Sequence, residues 1–485
     1  MTSLQKPNFL LINVDQWPGS YMGCAGHPDV LTPTLDELSK VGVRFTNAYS
    51  GTPVCIPARR ELMTGACARV HGDRCFDETL EMPQFPTMAG VFAQSGYQTY
   101  AVGKLHVYPQ RDRIGFDDVV LLEEGRHKGG MAQDDYERFL ARKGYAGLEF
   151  MHGMCNNNYL ARPWHLPEEC HPTNWITYQM CETIKRRDPK RPAFWYLSYN
   201  HPHPPLAPLK DYLDMYSDCD VSIPYCGEWT SGRDLPSVYQ FYRGIYDFVD
   251  NNRKLSLARK AFYALCTHID HQIRLVIGTL REEGVLQNTV IAFVSDHGDM
   301  LGNQKMWGKN VFYEDSAKIP YLLIPCKGYE GLKPNTTDDR LVELRDIMPT
   351  FLEMAGIEIP ESVDGSSLIK EEKKDYIYGE LWEDMRATRM IRWGDYKLIY
   401  CPANNISQLF DIKNDPQELK DLSGEPSYQK IRKQMESMLI QNLYGGDEKW
   451  AVNGTLVGRS EEDKKNSGEH AVLRNADLLL QRGLR

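Results

Sequence analysis

Cys55 opens the run Cys55-Ile56-Pro57-Ala58-Arg59-Arg60-Glu61-Leu62-Met63-Thr64-Gly65. A thiol at the head of a short helical pattern, with Arg59 four residues on, suits an anion better than it suits a core. The spacing predicts a helix with Pro57 at its first helical position, where a missing N–H costs nothing. Gly65 is then the left-handed residue after the last turn, and Cys55 lies at the positive end of the helix dipole. Four other places put titratable or cationic residues directly behind short apolar runs. They are Asp15-Gln16, Lys104-Leu105-His106, His201-Pro202-His203, and Asp296-His297-Gly298-Asp299 with Lys309 shortly after. Carboxylates with one imidazole suit a divalent cation. Lysines are compact charges for an anion, and histidines hold or release a proton near neutral pH.

The elements behind these residues are legible from hydrophobic pattern. Residues 9–14, 194–199 and 290–295 are short, nearly continuous apolar runs, the mark of strands buried on both faces, and 98–102 reads as a further strand. Thr32-Pro33 starts a helix that Gly42 ends; residues 85–94 read as helix, and 258–283 as a long amphipathic helix closed by Gly284. Alternating strands and helices predict an α/β fold, a large mainly parallel, mixed β-sheet sandwiched by helices over residues 1–370. In such sheets ligands bind beyond the carboxyl ends of the strands, so the four exits should converge. A charged linker at 370–374 leads to a smaller C-terminal α+β domain, residues 371–485. Its antiparallel sheet is expected from a hairpin at 390–400 and a strand at 409–411. The last twenty residues read as a helix or a loose tail.

Composition narrows the partners. The chain has 485 residues, with 56 Lys and Arg against 66 Asp and Glu, a formal net charge of −10. With no basic stripe, nucleic acid is not expected. Twelve scattered cysteines form no C-x-x-C pair, which disfavours zinc ribbons and small disulfide scaffolds. No leader-like N-terminus and no membrane-length apolar run is present, so a cytoplasmic location without membrane contact is expected. A homo-oligomer is left open. His268 and His271, three apart on the long helix, read as packed or solvated residues rather than ligands. Trp17, Trp164, His165, Trp382 and Arg386 could line a pocket mouth.

The C-x-P-x-R pattern closed by Thr64-Gly65 resembles the signature of the type I sulfatases, within the alkaline phosphatase superfamily. The match is carried by Pro53, Cys55, Pro57, Ala58, Arg59, Leu62, Met63, Thr64 and Gly65. Ile56 departs from the small residue usual there. Asp15-Gln16 resembles the choline sulfatase and phosphonate monoester hydrolase branch, where most relatives carry a second aspartate. The resemblance implies that Cys55 is oxidised to formylglycine, whose hydrated aldehyde is the nucleophile. It implies one divalent cation, calcium first and magnesium or manganese next, held by Asp15, Gln16, Cys55, Asp296 and His297. It further implies that Lys104 and Lys309 clamp the sulfate with His201 and His203 beside them, and that Arg59 holds the formylglycine. His203 is then the general acid for the leaving alcohol, and His106 the base that releases sulfate. A formylglycine-generating or anaerobic sulfatase-maturing enzyme becomes a required partner. The expected reaction is hydrolysis of a sugar, aryl or choline sulfate ester. Two rivals share the architecture: a phosphonate or phosphate ester hydrolase, and a catalytically idle binder of sulfated glycans.

Overall fold

The computed structural model describes residues 6–126, 134–232, 234–243 and 251–460. Eight strands form the larger sheet: β1 (Asn8–Asp15), β2 (Val43–Tyr49), β3 (Gln98–Gly103), β4 (Asp118–Leu121), β5 (Ala193–Pro202), β6 (Thr289–Ser295), β7 (Tyr321–Ile324) and β8 (Thr336–Glu343). Their order across the sheet is β4-β3-β5-β1-β6-β7-β2-β8. All neighbours pair in parallel except β7, which runs antiparallel between β6 and β2. The sheet is thus mainly parallel and mixed, as the sequence pattern predicts.

The apolar runs explain the layering. Along β1, Leu10, Ile12 and Val14 pack into one core, while Phe9 and Leu11 pack into another on the opposite face. The first core is covered by α1 (Pro33–Val41), Pro172–Lys185 and the long helix Asn252–Glu282; the second by α2 (Cys55–Thr64), Met88–Gln94 and Ile347–Met354. Side chains alternate across a strand, so an unbroken apolar strand needs helices on both sides.

Several boundaries move from the sequence reading. The helix carrying the cysteine starts at Cys55 itself, so Pro57 lies two residues inside rather than at the first position. Only Met88–Gln94 of the 85–94 stretch is helical, because Thr87 caps it by accepting from the Gly90 amide at 3.1 Å. The long helix begins six residues earlier than its apolar pattern, at Asn252, where Asn251 accepts from the Lys254 amide at 3.0 Å.

A four-stranded antiparallel sheet follows, β9 (Tyr376–Leu381), β10 (Thr388–Trp393), β11 (Tyr396–Cys401) and β12 (Ile406–Asp411), in the order β12-β11-β10-β9. The helix Gln429–Asn442 packs on it through Met435 and Leu439. Its other face joins Tyr49 and Val54 of the larger unit in a shared core with Ile377, Met390, Ile399 and Phe410. The tail expected over the last twenty residues lies outside the described residues. Among the described residues no helix is long and apolar enough to cross a membrane.

Candidate active site

Four adjacent strands, β3, β5, β1 and β6, run parallel and end on the same rim. Each delivers its titratable residue there: Lys104 after β3, His203 after β5, Asp15 at the end of β1, Asp296 and His297 after β6. The start of α2 adds Cys55, and its next turn adds Arg59. Gly65 closes α2 in the left-handed conformation (φ 64°), its amide donating to the Glu61 carbonyl at 3.0 Å.

At the centre, one ligand atom from each of Asp15, Cys55, Asp296 and His297 lies within 4.8 Å of the others, all four residues buried. Cys55 Sγ is 3.2 Å from His297 Nε2 and 3.8 Å from Asp15 Oδ1. Arg59 fixes the outer edge of both carboxylates, Nη2 to Asp15 Oδ2 at 3.0 Å and Nε to Asp296 Oδ2 at 3.0 Å. That leaves the Oδ1 atoms facing His297 Nε2, at 3.8 Å for Asp15 and 3.7 Å for Asp296. The His297 Nδ1–H donates to the Gly298 carbonyl at 3.0 Å, so Nε2 presents its lone pair inward. Two carboxylate oxygens, an imidazole nitrogen and the side chain of residue 55 converging in a buried cluster fit one divalent cation.

The cations surround this cluster. Lys104 is fully buried, with Nζ 2.7 Å from Asp15 Oδ2 and 2.9 Å from Glu124 Oε2. Burial opposes ionisation of Asp15, but Lys104, His203, Arg59 and Lys309 outweigh it and hold the carboxyl well below its usual range. Burial and Asp15 push the Cys55 thiol up; Lys309, Lys104 and His297 together bring it below the usual thiol value. His106 and His203 are both held well below the usual imidazole range, first by burial and then by the surrounding cations. Neither ring nitrogen of buried His106 has a hydrogen-bond partner, and the same holds for His203 Nε2. His203 Nδ1–H donates to the Pro204 carbonyl at 2.7 Å, which leaves Nε2 to meet a substrate.

Three expected residues are placed differently. Gln16, expected to lend its amide oxygen to a cation, gives it to Lys309 Nζ at 2.7 Å, while its nitrogen donates to Tyr159 Oη at 2.6 Å and to Asp299. His201 turns toward the start of the helix Pro172–Lys185, where its Nδ1 is 3.1 Å from Thr173 Oγ1 and its ring packs on His171. Trp17 is core, edge-on to Phe293 with its indole N–H on the Tyr21 carbonyl at 2.9 Å, and so lines no pocket mouth.

Sequence reasoning passed over Glu123, Glu124 and Arg126, which follow β4. Glu123 Oε1 accepts from the amides of Leu105 at 2.8 Å and His106 at 2.9 Å, so it fixes the backbone that carries Lys104 and His106. Their signal is the Glu-Glu pair at the exit of the short apolar run Val119 to Leu122, the same pattern that marks the other strand ends. Asp299 was read only as part of its motif. Its Oδ1 accepts from the amides of Leu301 and Gly308, both at 2.9 Å, which anchors the loop before Lys309.

The chain matches the Sulfatase family model over residues 7–357, and that for the N-sulphoglucosamine sulphohydrolase C-terminal region over residues 302–444. It is 35% identical to an arylsulfatase of Clostridium perfringens, over 93% of this chain and 97% of that one. A choline-sulfatase of Rhizobium meliloti is 28% identical over 87% of this chain and 83% of that one. Among solved structures, the phosphonate monoester hydrolase of Agrobacterium radiobacter shares the fold, with a TM-score of 0.75 at 21% identity, covering 90% of this chain and 95% of that one.

Proposed function

The chain belongs to the sulfatase family of the alkaline phosphatase superfamily, and on that premise we propose that it cleaves a sulfate monoester to an alcohol and sulfate with a formylglycine made from Cys55. The observation that carries this reading is the buried convergence of Asp15, Cys55, Asp296 and His297 beside Lys104 and Lys309. Asp15, Asp296, His297 and an oxygen on residue 55 would hold one divalent cation, calcium by preference, which supplies Lewis-acid polarisation when bound. The hydrated aldehyde supplies a nucleophilic oxygen, and a second hydroxyl through which sulfate is released.

The chain's own residues do the rest. Arg59 locks both carboxylates and, from the second turn of α2, lies against residue 55. Lys104 and Lys309 bring positive charge to the sulfuryl oxygens. His203 Nε2 delivers a proton to the leaving alcohol, and His106 takes one from the second hydroxyl. Depressed basicity leaves His106 unprotonated and ready to accept a proton near neutral pH, and makes His203 a strong acid once the negative charge of the bound ester has drawn a proton to it. A sugar alcohol is the favoured leaving group, and a maturation enzyme acting on Cys55 is the required partner.

The test is to co-produce the chain with a formylglycine-generating enzyme. The Cys55 peptide should lose about 18 Da, and the product should hydrolyse 4-nitrophenyl sulfate in preference to phosphate and phenylphosphonate esters. Chelation should abolish turnover and calcium restore it. A fully converted, cation-loaded protein that leaves sulfate esters intact would overturn the proposal.

A further inference from the structure

Lys104 carries two partners where an anion clamp needs none. Its ammonium lies between Asp15 Oδ2 at 2.7 Å and Glu124 Oε2 at 2.9 Å. Asp15 has a second duty toward the cation; Glu124 has none. Glu124 sits in a left-handed backbone conformation (φ 58°), which a non-glycine residue adopts only when its surroundings enforce it. The same Oε2 also accepts from Arg126 Nη2 at 2.9 Å, and Arg126 Nη1 in turn pairs with Glu78 at 2.8 Å. Glu124 Oε1 is buried without a hydrogen-bond partner, 3.8 Å from His203 Nδ1. Burial opposes its charge, but Lys104, Arg126 and His203 outweigh that, so the carboxylate is ionised throughout the working pH range.

A fixed carboxylate in contact with the clamp lysine offsets much of that lysine's field. Sulfate and phosphate monoesters share one tetrahedral shape, so space alone cannot separate them. Charge can: the sulfate ester carries one negative charge, and the phosphate ester close to two at neutral pH. A carboxylate held beside the anion repels a dianion about twice as strongly as a monoanion, which works against the doubly charged ester. We propose that Glu124 is a specificity-determining residue, setting this site for singly charged esters and against doubly charged phosphate monoesters. The inference rests on the proposed function, in that Lys104 is taken to hold the ester anion.

The experiment compares kcat/KM for 4-nitrophenyl sulfate and 4-nitrophenyl phosphate at pH 8, using the full-length matured enzyme. Glu124→Gln should move the sulfate-to-phosphate ratio toward phosphate by about tenfold or more. Glu124→Asp keeps the charge and should keep the parent's ratio even where both rates fall. Arg126→Gln strengthens the carboxylate's field and should move the ratio the other way, toward sulfate, which gives a reading even where Glu124→Gln does not fold. A parallel fall for both esters in Glu124→Gln and Arg126→Gln would reduce Glu124 to a structural residue and overturn the assignment, leaving the proposed function intact. A parent that prefers the phosphate ester from the outset would overturn both.

Discussion

Arg59 shows how one side chain can be structural and chemical together. Its planar guanidinium meets Asp15 and Asp296 on separate nitrogens, both at 3.0 Å, and its third nitrogen donates to the Lys104 carbonyl at 2.8 Å and Ser198 Oγ at 2.9 Å. A lysine cannot reproduce that fork. Arg59→Lys should cut kcat/KM on a sulfate ester by roughly 100-fold or more and lower the melting temperature, since it leaves buried carboxylates half-paired. Unchanged kinetics would remove Arg59 from the site. At this scale the sequence singled out Cys55, Arg59, Asp15, Asp296 and His297, which the structure brings together, because each belongs to a local motif behind a recognisable strand or helix. Glu124 and Arg126 were passed over: they follow β4, a four-residue strand whose apolar run, Val119 to Leu122, is short and starts from the exposed Asp118.

At the level of elements, the strand ends and α2 hold the site to tight tolerances. Gly103 ends β3 at φ 106°, and a Cβ there would fall 1.8 Å from the Ser198 carbonyl oxygen. Gly103→Ala should therefore cost more than about 3 kcal/mol and displace Lys104. Gly278→Ala, inside the long helix with nothing within 4 Å, should instead stabilise by about 0.5–1 kcal/mol. Paired thermal melts check both. On α2, Glu61 is buried beneath the helix, accepting from Thr52 Oγ1 at 2.8 Å, and its pKa is raised from 4.5 to about 8, by burial first and then by Glu343. Between those values the folded state keeps a proton that the unfolded chain has released, so stability falls as pH rises from 5 to 8. The loss should be roughly 2–4 kcal/mol, and denaturant titrations of Glu61→Gln should lack that slope. The apolar periodicity made most of these elements legible. The start of α2 was not, since Pro57 is as acceptable two residues inside the helix as at its first position.

Across the whole molecule, the smaller sheet is tied to the larger by a buried ion cluster as well as by apolar packing. Lys397 on β11 is fully buried between Glu314 Oε1 at 2.8 Å and Glu418 Oε1 at 2.6 Å. Lys397→Met would strand two carboxylates and should lower stability by about 3–5 kcal/mol, read as a drop in denaturation midpoint. This contact joins residues 83 apart, and no local pattern in the sequence announces it. The parallel order of β3, β5, β1 and β6 has a different consequence. All the reactive groups share one rim, while the chain enters these strands from the other, where residues 188–191 lie exposed ahead of β5. A protease nick after Lys190 should therefore yield a two-piece enzyme that still turns over, held together by its core. Either fragment by itself would be inert, because Asp15 and Cys55 would be parted from Asp296 and His297.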